Sequence, residues 1–160
     1  MQERTRTITW AETDQYPRWI QEKPGLEFVQ ALCDGTLPNP PMFSLLGFRM
    51  VGVREGEVTA ECEIGEHLYN AGAVVHGGVA ATLIDTTTAL AVRSCMPAGT
   101  RMTTVDLKLN LVRLLSKDSD PVTAVGTVLH RGRKICVAEA KVCTREGKLV
   151  AAGMASLAIL

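Results

Sequence analysis

One carboxylate and one glycine-rich turn stand out in this chain for the chemistry they could do together. Between Glu66 and Arg93 the sequence LYNAGAVVHGGVAATLIDTTTALAV holds a single acid, Asp85, and no Lys or Arg, although 21% of all residues are charged. The same stretch carries His76-Gly77-Gly78. Read forward from His76 it is small or aliphatic on nearly every side, as a helix that is to be buried must be. Its first turn leaves amide N–H groups without intrahelical partners, and the two glycines let a foreign oxygen approach the backbone closely. Such an end can hold a developing negative charge.

Gly77 and Asp85 are eight residues apart, which is roughly 12 Å along one helix axis at 1.5 Å per residue. One substrate carbonyl cannot touch both. If both act on one bond, the acid comes from a second copy of the chain whose helix lies antiparallel to the first. The spacing therefore predicts a dimer with shared sites. A carboxylate in an apolar seam between copies loses hydration and becomes a better base or nucleophile than an exposed one. An N–H at the positive end of the helix would stabilise the oxyanion formed when a carbonyl is attacked. Both roles for the acid, direct attack or deprotonation of water, stay open, with the base role preferred.

The elements that must position these groups follow from periodicity. Val58, Ala60, Cys62 and Ile64 alternate with Glu57, Thr59, Glu61 and Glu63, and with Phe48 to Val53 before an REGE turn they predict a hairpin. After the helix, Val105, Leu107, Leu109 and Leu111 alternate with Thr104, Asp106, Lys108 and Asn110. A KDSDP loop and then PVTAVGTVLH, KICVAEAKVCT and KLVAAGMASLAIL, joined by RGRK and REGK turns, predict an antiparallel meander. Upstream, PGLEFVQALCDG is a short helix between Pro24 and Gly35, and MFSLLGF one apolar helical turn that packs on the sheet or covers an acyl pocket. Residues 1–24 form a polar arm or cap in which Pro17 breaks any continuous helix. One helix covers only part of one sheet face, so sheet-to-sheet or edge-to-edge association is expected.

Composition excludes several classes. Seventeen basic and seventeen acidic residues cancel, which leaves no nucleic-acid footprint and no polybasic membrane surface. Five cysteines without C-x-x-C spacing are expected to be reduced core thiols. The polar start MQERTRTITW is not a secretory signal, and Asp85 and Arg93 interrupt the best apolar run, so a soluble, cytoplasmic protein is expected. His67 and His130 have no ligand spacing, and no metal is expected; no G-x-S-x-G, P-loop or dinucleotide fingerprint occurs.

Asn70, His76-Gly77-Gly78, Asp85 and Thr104-Val105-Asp106, with the approach PPMFSLLGF, resemble the PaaI-like branch of the hotdog-fold acyl-CoA thioesterases, within the 4-hydroxybenzoyl-CoA thioesterase superfamily. The resemblance covers residues 38–160 as the hotdog domain and leaves 1–37 as an N-terminal arm and short helix. It implies an α+β fold, with about six antiparallel strands wrapped around one long central helix and short N-terminal helices. It further implies homodimers with a continuous sheet or dimers of dimers, and hydrolysis of acyl-CoA without a cofactor, coenzyme A being part of the substrate. By the same resemblance Asp85 is the catalytic carboxylate and Gly77 the oxyanion donor. Asn70 lies near the thioester or water, and Thr104 orients water or carboxylate. His76 and Gly78 belong to the helix-start substrate turn. Strand alternation puts Thr103 on the face of Val105 and Leu107, so Thr103 stands as the alternative to Thr104. The chain departs from the family with Arg113-Leu114 where Arg-Pro is frequent.

Simpler roles exist for each. Asp85 could bond Thr82 or Thr88 across the helix, His76 could cap it, Asn70 could shape a turn, and Arg131, Arg133 and Lys134 could be solvated rather than bound to phosphates. A non-catalytic acyl-CoA-binding or regulatory protein on the same scaffold is the alternative function, and a hotdog dehydratase or hydratase ranks third.

Overall fold

The computed structural model describes residues 2–119 and 121–160. Three short helices lead into the sheet: α1 (Gln15–Glu22), α2 (Gly25–Asp34) and α3 (Pro41–Leu46). The hairpin β1 (Phe48–Arg54) and β2 (Glu57–Cys62) precedes the long helix α4 (Gly77–Ser94). Then come β3 (Met102–Leu111), β4 (Val122–Arg131), β5 (Ile135–Thr144) and β6 (Leu149–Ile159). Of the loop expected at 117–121, Lys117–Ser119 form a short 3-10 turn, and Asp120, like Met1 of the arm, lies outside the described residues.

All six strands join one antiparallel sheet in the order β1-β2-β4-β5-β6-β3. The alternation read in β2 holds: Val58, Ala60 and Cys62 are fully buried on the helix side. α4 packs against β2, β4, β5, β6 and β3, so the apolar helix is wrapped by the sheet. The expected α+β hotdog architecture, one long helix inside an antiparallel sheet, is the observed one.

The polar residues of α4 are accommodated locally. Buried Thr87 and Thr88 donate their hydroxyls to the Leu83 and Ile84 carbonyls at 2.7 and 2.8 Å, which satisfies them without a partner element. Opposite them β4 comes so near that a Cβ on Gly126 would overlap the Thr87 backbone. Gly126→Ala is therefore expected to destabilise the fold by roughly 1–3 kcal/mol. A thermal melt should register this as a midpoint lower by about 3 °C per kcal/mol.

Two expectations are corrected. Residues around Pro17 do form a helix, α1, because Pro17 sits in its first turn, where the missing N–H has no intrahelical acceptor to lose. In β3 the pairing runs Thr104 opposite Leu157 and then Asp106 opposite Ser156, so Val105 is bulged out and 56% exposed. The inserted residue reverses the parity of the strand before it. Thr104, not Thr103, shares the helix-facing side with Leu107, and Thr103 is exposed opposite Ala158.

Candidate active site

The first turn of α4 is set by His76. It is the N-cap, extended at φ −62° and ψ 133°, and its Nδ1 accepts the Gly78 N–H at 2.9 Å. With Nδ1 used as the acceptor, Nε2 is the ring nitrogen left to donate. The Gly78 amide is engaged by this cap. The Val79 N–H is bonded to the His76 carbonyl at 3.0 Å. Among the described residues the Gly77 N–H has no acceptor, and it sits at the positive end of an 18-residue helix.

Asn70 is held beside it by a tight loop. Its N–H donates to the Val74 carbonyl at 2.8 Å, its carbonyl accepts from Ala73 at 3.0 Å, and its Oδ1 accepts from Gly72 at 2.8 Å. Ala73 is left-handed at φ 57°, and the Tyr69–Val75 bridge closes the loop. With Oδ1 turned to Gly72, Asn70 presents its Nδ2 donors outward. Asn70, His76 and Gly77 line a cleft of about 170 Å³ together with Ala80, Leu111 and Val150. Three of its polar groups are thus donors, suited to an oxygen that gains negative charge.

Leu111 was not singled out from the sequence. A Cβ on Gly77 would overlap Leu111 Cδ1, so the side chain at the end of β3 closes on the glycine that begins α4. The signal available was the glycine itself: a position without Cβ against an element of unknown order.

Asp85 lies two turns further along α4, half-buried, and accepts from the Thr104 hydroxyl at 2.9 Å. Thr82 and Thr88 do not bond its carboxylate: Thr82 donates to the Gly78 carbonyl at 2.9 Å, and Thr88 to the Ile84 and Asp85 carbonyls at 2.8 and 2.9 Å. No ion pair to Asp85 occurs among the described residues. The structure therefore brings Asp85 and Thr104 together in one group and Asn70, His76, Gly77 and Gly78 in another. Their members on α4, Asp85 and Gly77, lie about 12 Å apart by helix rise.

Other readings find their places too. Arg131 pairs with Glu55 at 3.3 Å, whereas Arg133 and Lys134 are exposed. The five cysteines form no disulfide among the described residues. No group of three or more His, Cys, Asp or Glu that could hold a metal occurs among the described residues, and no described helix is long and apolar enough to cross a membrane.

Comparison with known proteins narrows what such a site is for. A Halobacterium salinarum protein named an esterase is 34% identical over 119 residues, spanning 71% of this chain and 77% of its own length. A Haemophilus influenzae thioesterase superimposes with a TM-score of 0.73 at 27% identity, over 84% of this chain and 90% of that one. A hypothetical thioesterase of Streptococcus pneumoniae, solved with coenzyme A, gives a TM-score of 0.65 at 25% identity, over 71% and 88% of the two chains. The Escherichia coli PaaI protein shares the fold, with a TM-score of 0.73 at 20% identity over 82% and 93% of the two chains. The sequence model of the thioesterase superfamily matches residues 72–151, the span from the Asn70 loop through the Gly77 turn, Asp85 and Thr104 to β6. By that match and by its kinship with the halobacterial protein, the chain belongs to the thioesterase superfamily.

Proposed function

We propose that this protein hydrolyses acyl-CoA thioesters as a homodimer, with each site built from the Gly77 turn of one protomer and Asp85 of its partner. The observation that carries the reading is the Thr104 hydroxyl on Asp85 Oδ1 at 2.9 Å, on a helix whose free amide is too distant to serve the same carbonyl. Thr104 holds one carboxylate oxygen and leaves the other as an acceptor for water. The coenzyme A bound to the pneumococcal relative supports the substrate class.

In the reaction Asp85 takes a proton from water as the water oxygen bonds to the thioester carbon. The carbonyl electrons move onto oxygen, where the Gly77 N–H and Asn70 Nδ2 receive the charge. When the carbonyl re-forms, the C–S bond breaks and the departing thiolate takes the proton held by Asp85. Thiolate is a good leaving group, and the chemistry needs no metal or prosthetic group. Antiparallel α4 helices at the dimer axis would bring the two groups together, with the open edge of β3 and exposed Val105, Leu111 and Val112 as the surface that joins the copies.

Free thiol released from a panel of acyl-CoAs tests the activity, and no release from any of them would end the proposal. The shared site has a separate test. Mixed Asp85→Asn protomers and Gly77→Pro, Leu111→Ala protomers, each inactive alone, form heterodimers with one intact site, so an equimolar random mixture recovers about one quarter of native activity. A mixture as inactive as its parents would show that each site lies within one chain. Thr104→Val, which removes the hydroxyl but keeps the shape, is expected to lower kcat about tenfold to a hundredfold with little change in KM. An unchanged kcat would detach Thr104 from the site.

A further inference from the structure

The cleft beside Gly77 also holds a cation. Arg113 lines it along with Asn70, Gly77 and the apolar Ala80, Leu111 and Val150. Among the described residues no carboxylate lines this cleft, and Arg113 is the one Lys or Arg that does.

The side chain is held in place by β6. β3 ends at Leu111, and the next two N–H groups, those of Val112 and Arg113, both donate to the Val150 carbonyl, at 2.8 and 3.2 Å. Arg113 Nε then donates to the neighbouring Leu149 carbonyl at 3.2 Å. Three donors thus clasp the chain here, and the guanidinium is fixed along its Nε edge. Its two Nη groups have no hydrogen-bond or ion-pair partner among the described residues. Pinning an arginine costs side-chain entropy, and the clasp uses only one of its five N–H donors.

Two atoms of a thioester gain negative charge during hydrolysis. The carbonyl oxygen is served by the Gly77 N–H and Asn70 Nδ2. The sulfur, which takes the bonding electrons when C–S breaks, has no donor from either. The cleft measures about 170 Å³, about the size that holds one benzene ring. A thioester whose oxygen reaches Gly77 therefore keeps its sulfur in the same small space. Arg113 is exposed at the rim, so solvent weakens its field and its effect is smaller than that of an enclosed donor.

We infer that Arg113 is a further catalytic residue, whose Nη–H groups donate to the sulfur as the C–S bond breaks and hold the thiolate until it takes the proton from Asp85. The guanidinium stays protonated throughout, so the balance of the reaction is unchanged. The inference rests on the acyl-CoA reading and adds to it a group for the departing half of the substrate.

Two thioesters of one acid test it, neither carrying a phosphate. One is made with N-acetylcysteamine, an alkanethiol, and the other with 4-nitrobenzenethiol, whose stable thiolate departs with little help. Arg113→Gln is expected to lower kcat/KM about tenfold to a hundredfold for the first and less than about threefold for the second. Both rates are measured on one sample, so their ratio holds even where part of the variant is unfolded. An equal loss on both thioesters, the mark of a group that serves the oxyanion or only the fold, overturns the inference, and so does no loss on either. A loss confined to acyl-CoA and expressed in KM would put Arg113 on the nucleotide and overturn it as well. If the native protein releases thiol from neither thioester nor from acyl-CoA, the acyl-CoA reading ends and the inference with it; native release with an unaltered ratio in the variant ends the inference alone.

Discussion

Asp85→Asn is expected to lower kcat for acyl-CoA hydrolysis by about two to four orders of magnitude, the usual worth of a positioned general base. The substitution isolates the charge. Asn keeps an oxygen to accept from Thr104, whose hydroxyl now donates to Asp85 at 2.9 Å, and it matches the Asp in volume at this half-buried position. Helix content and melting midpoint should therefore stay native, and KM should move little, because the carboxylate is needed for proton removal rather than for binding. Thiol release measured at saturating substrate in a folded variant gives the answer. Activity within tenfold of native would remove Asp85 from the chemistry and leave the chain as an acyl-CoA binder on a hydrolase scaffold.

The second large effect concerns a backbone group. The Gly77 N–H cannot be deleted by changing a side chain, except by proline. Gly77 is the first residue of α4, a helical position where proline fits because the N–H has no intrahelical partner. The residue before a proline must be extended, and His76 already is, at φ −62° and ψ 133°. The obstacle is Leu111, whose Cδ1 occupies the space a Cβ would take. Gly77→Pro made together with Leu111→Ala is thus expected to fold and to lose about 10²–10³ in kcat relative to Leu111→Ala alone. The single Leu111→Ala variant retains the amide and serves as the reference. A double variant as active as the single one would mean that the oxyanion is held elsewhere.

Much of this was legible in the residues. The start of α4 could be read because His-Gly-Gly precedes a long uncharged run, and β2 because charge and apolar residues alternate without interruption. The strand order could not. Nothing local tells β2 to pair with β4, or β3 to cross over to the far side of β6, since these pairings are decided by how the sheet closes over the helix. Alternation pointed to Thr103 where the family resemblance pointed to Thr104, for a related reason: period-two counting assumes an unbroken ladder, and the bulge at Val105 is a property of two strands rather than one. Asn70 was read by its spacing to the helix. That its Oδ1 is committed to Gly72, leaving it as a donor, depends on the loop closing through Ala73 at φ 57°. The contact of Leu111 with Gly77 required knowing that the end of β3 passes the start of α4.

The bulge in β3 also bears on how such a protein changes over time. On one side of Val105 the strand answers to Asp85 through Thr104; on the other, Leu107 and Leu109 pack on the core and Leu111 walls the cleft. A residue that belongs to neither ladder separates the two obligations. A substitution at Leu111 that reshapes the wall of the cleft can accumulate without disturbing the hydroxyl bonded to the acid, so the shape of the cleft and the Thr104–Asp85 pair are free to drift under separate selection.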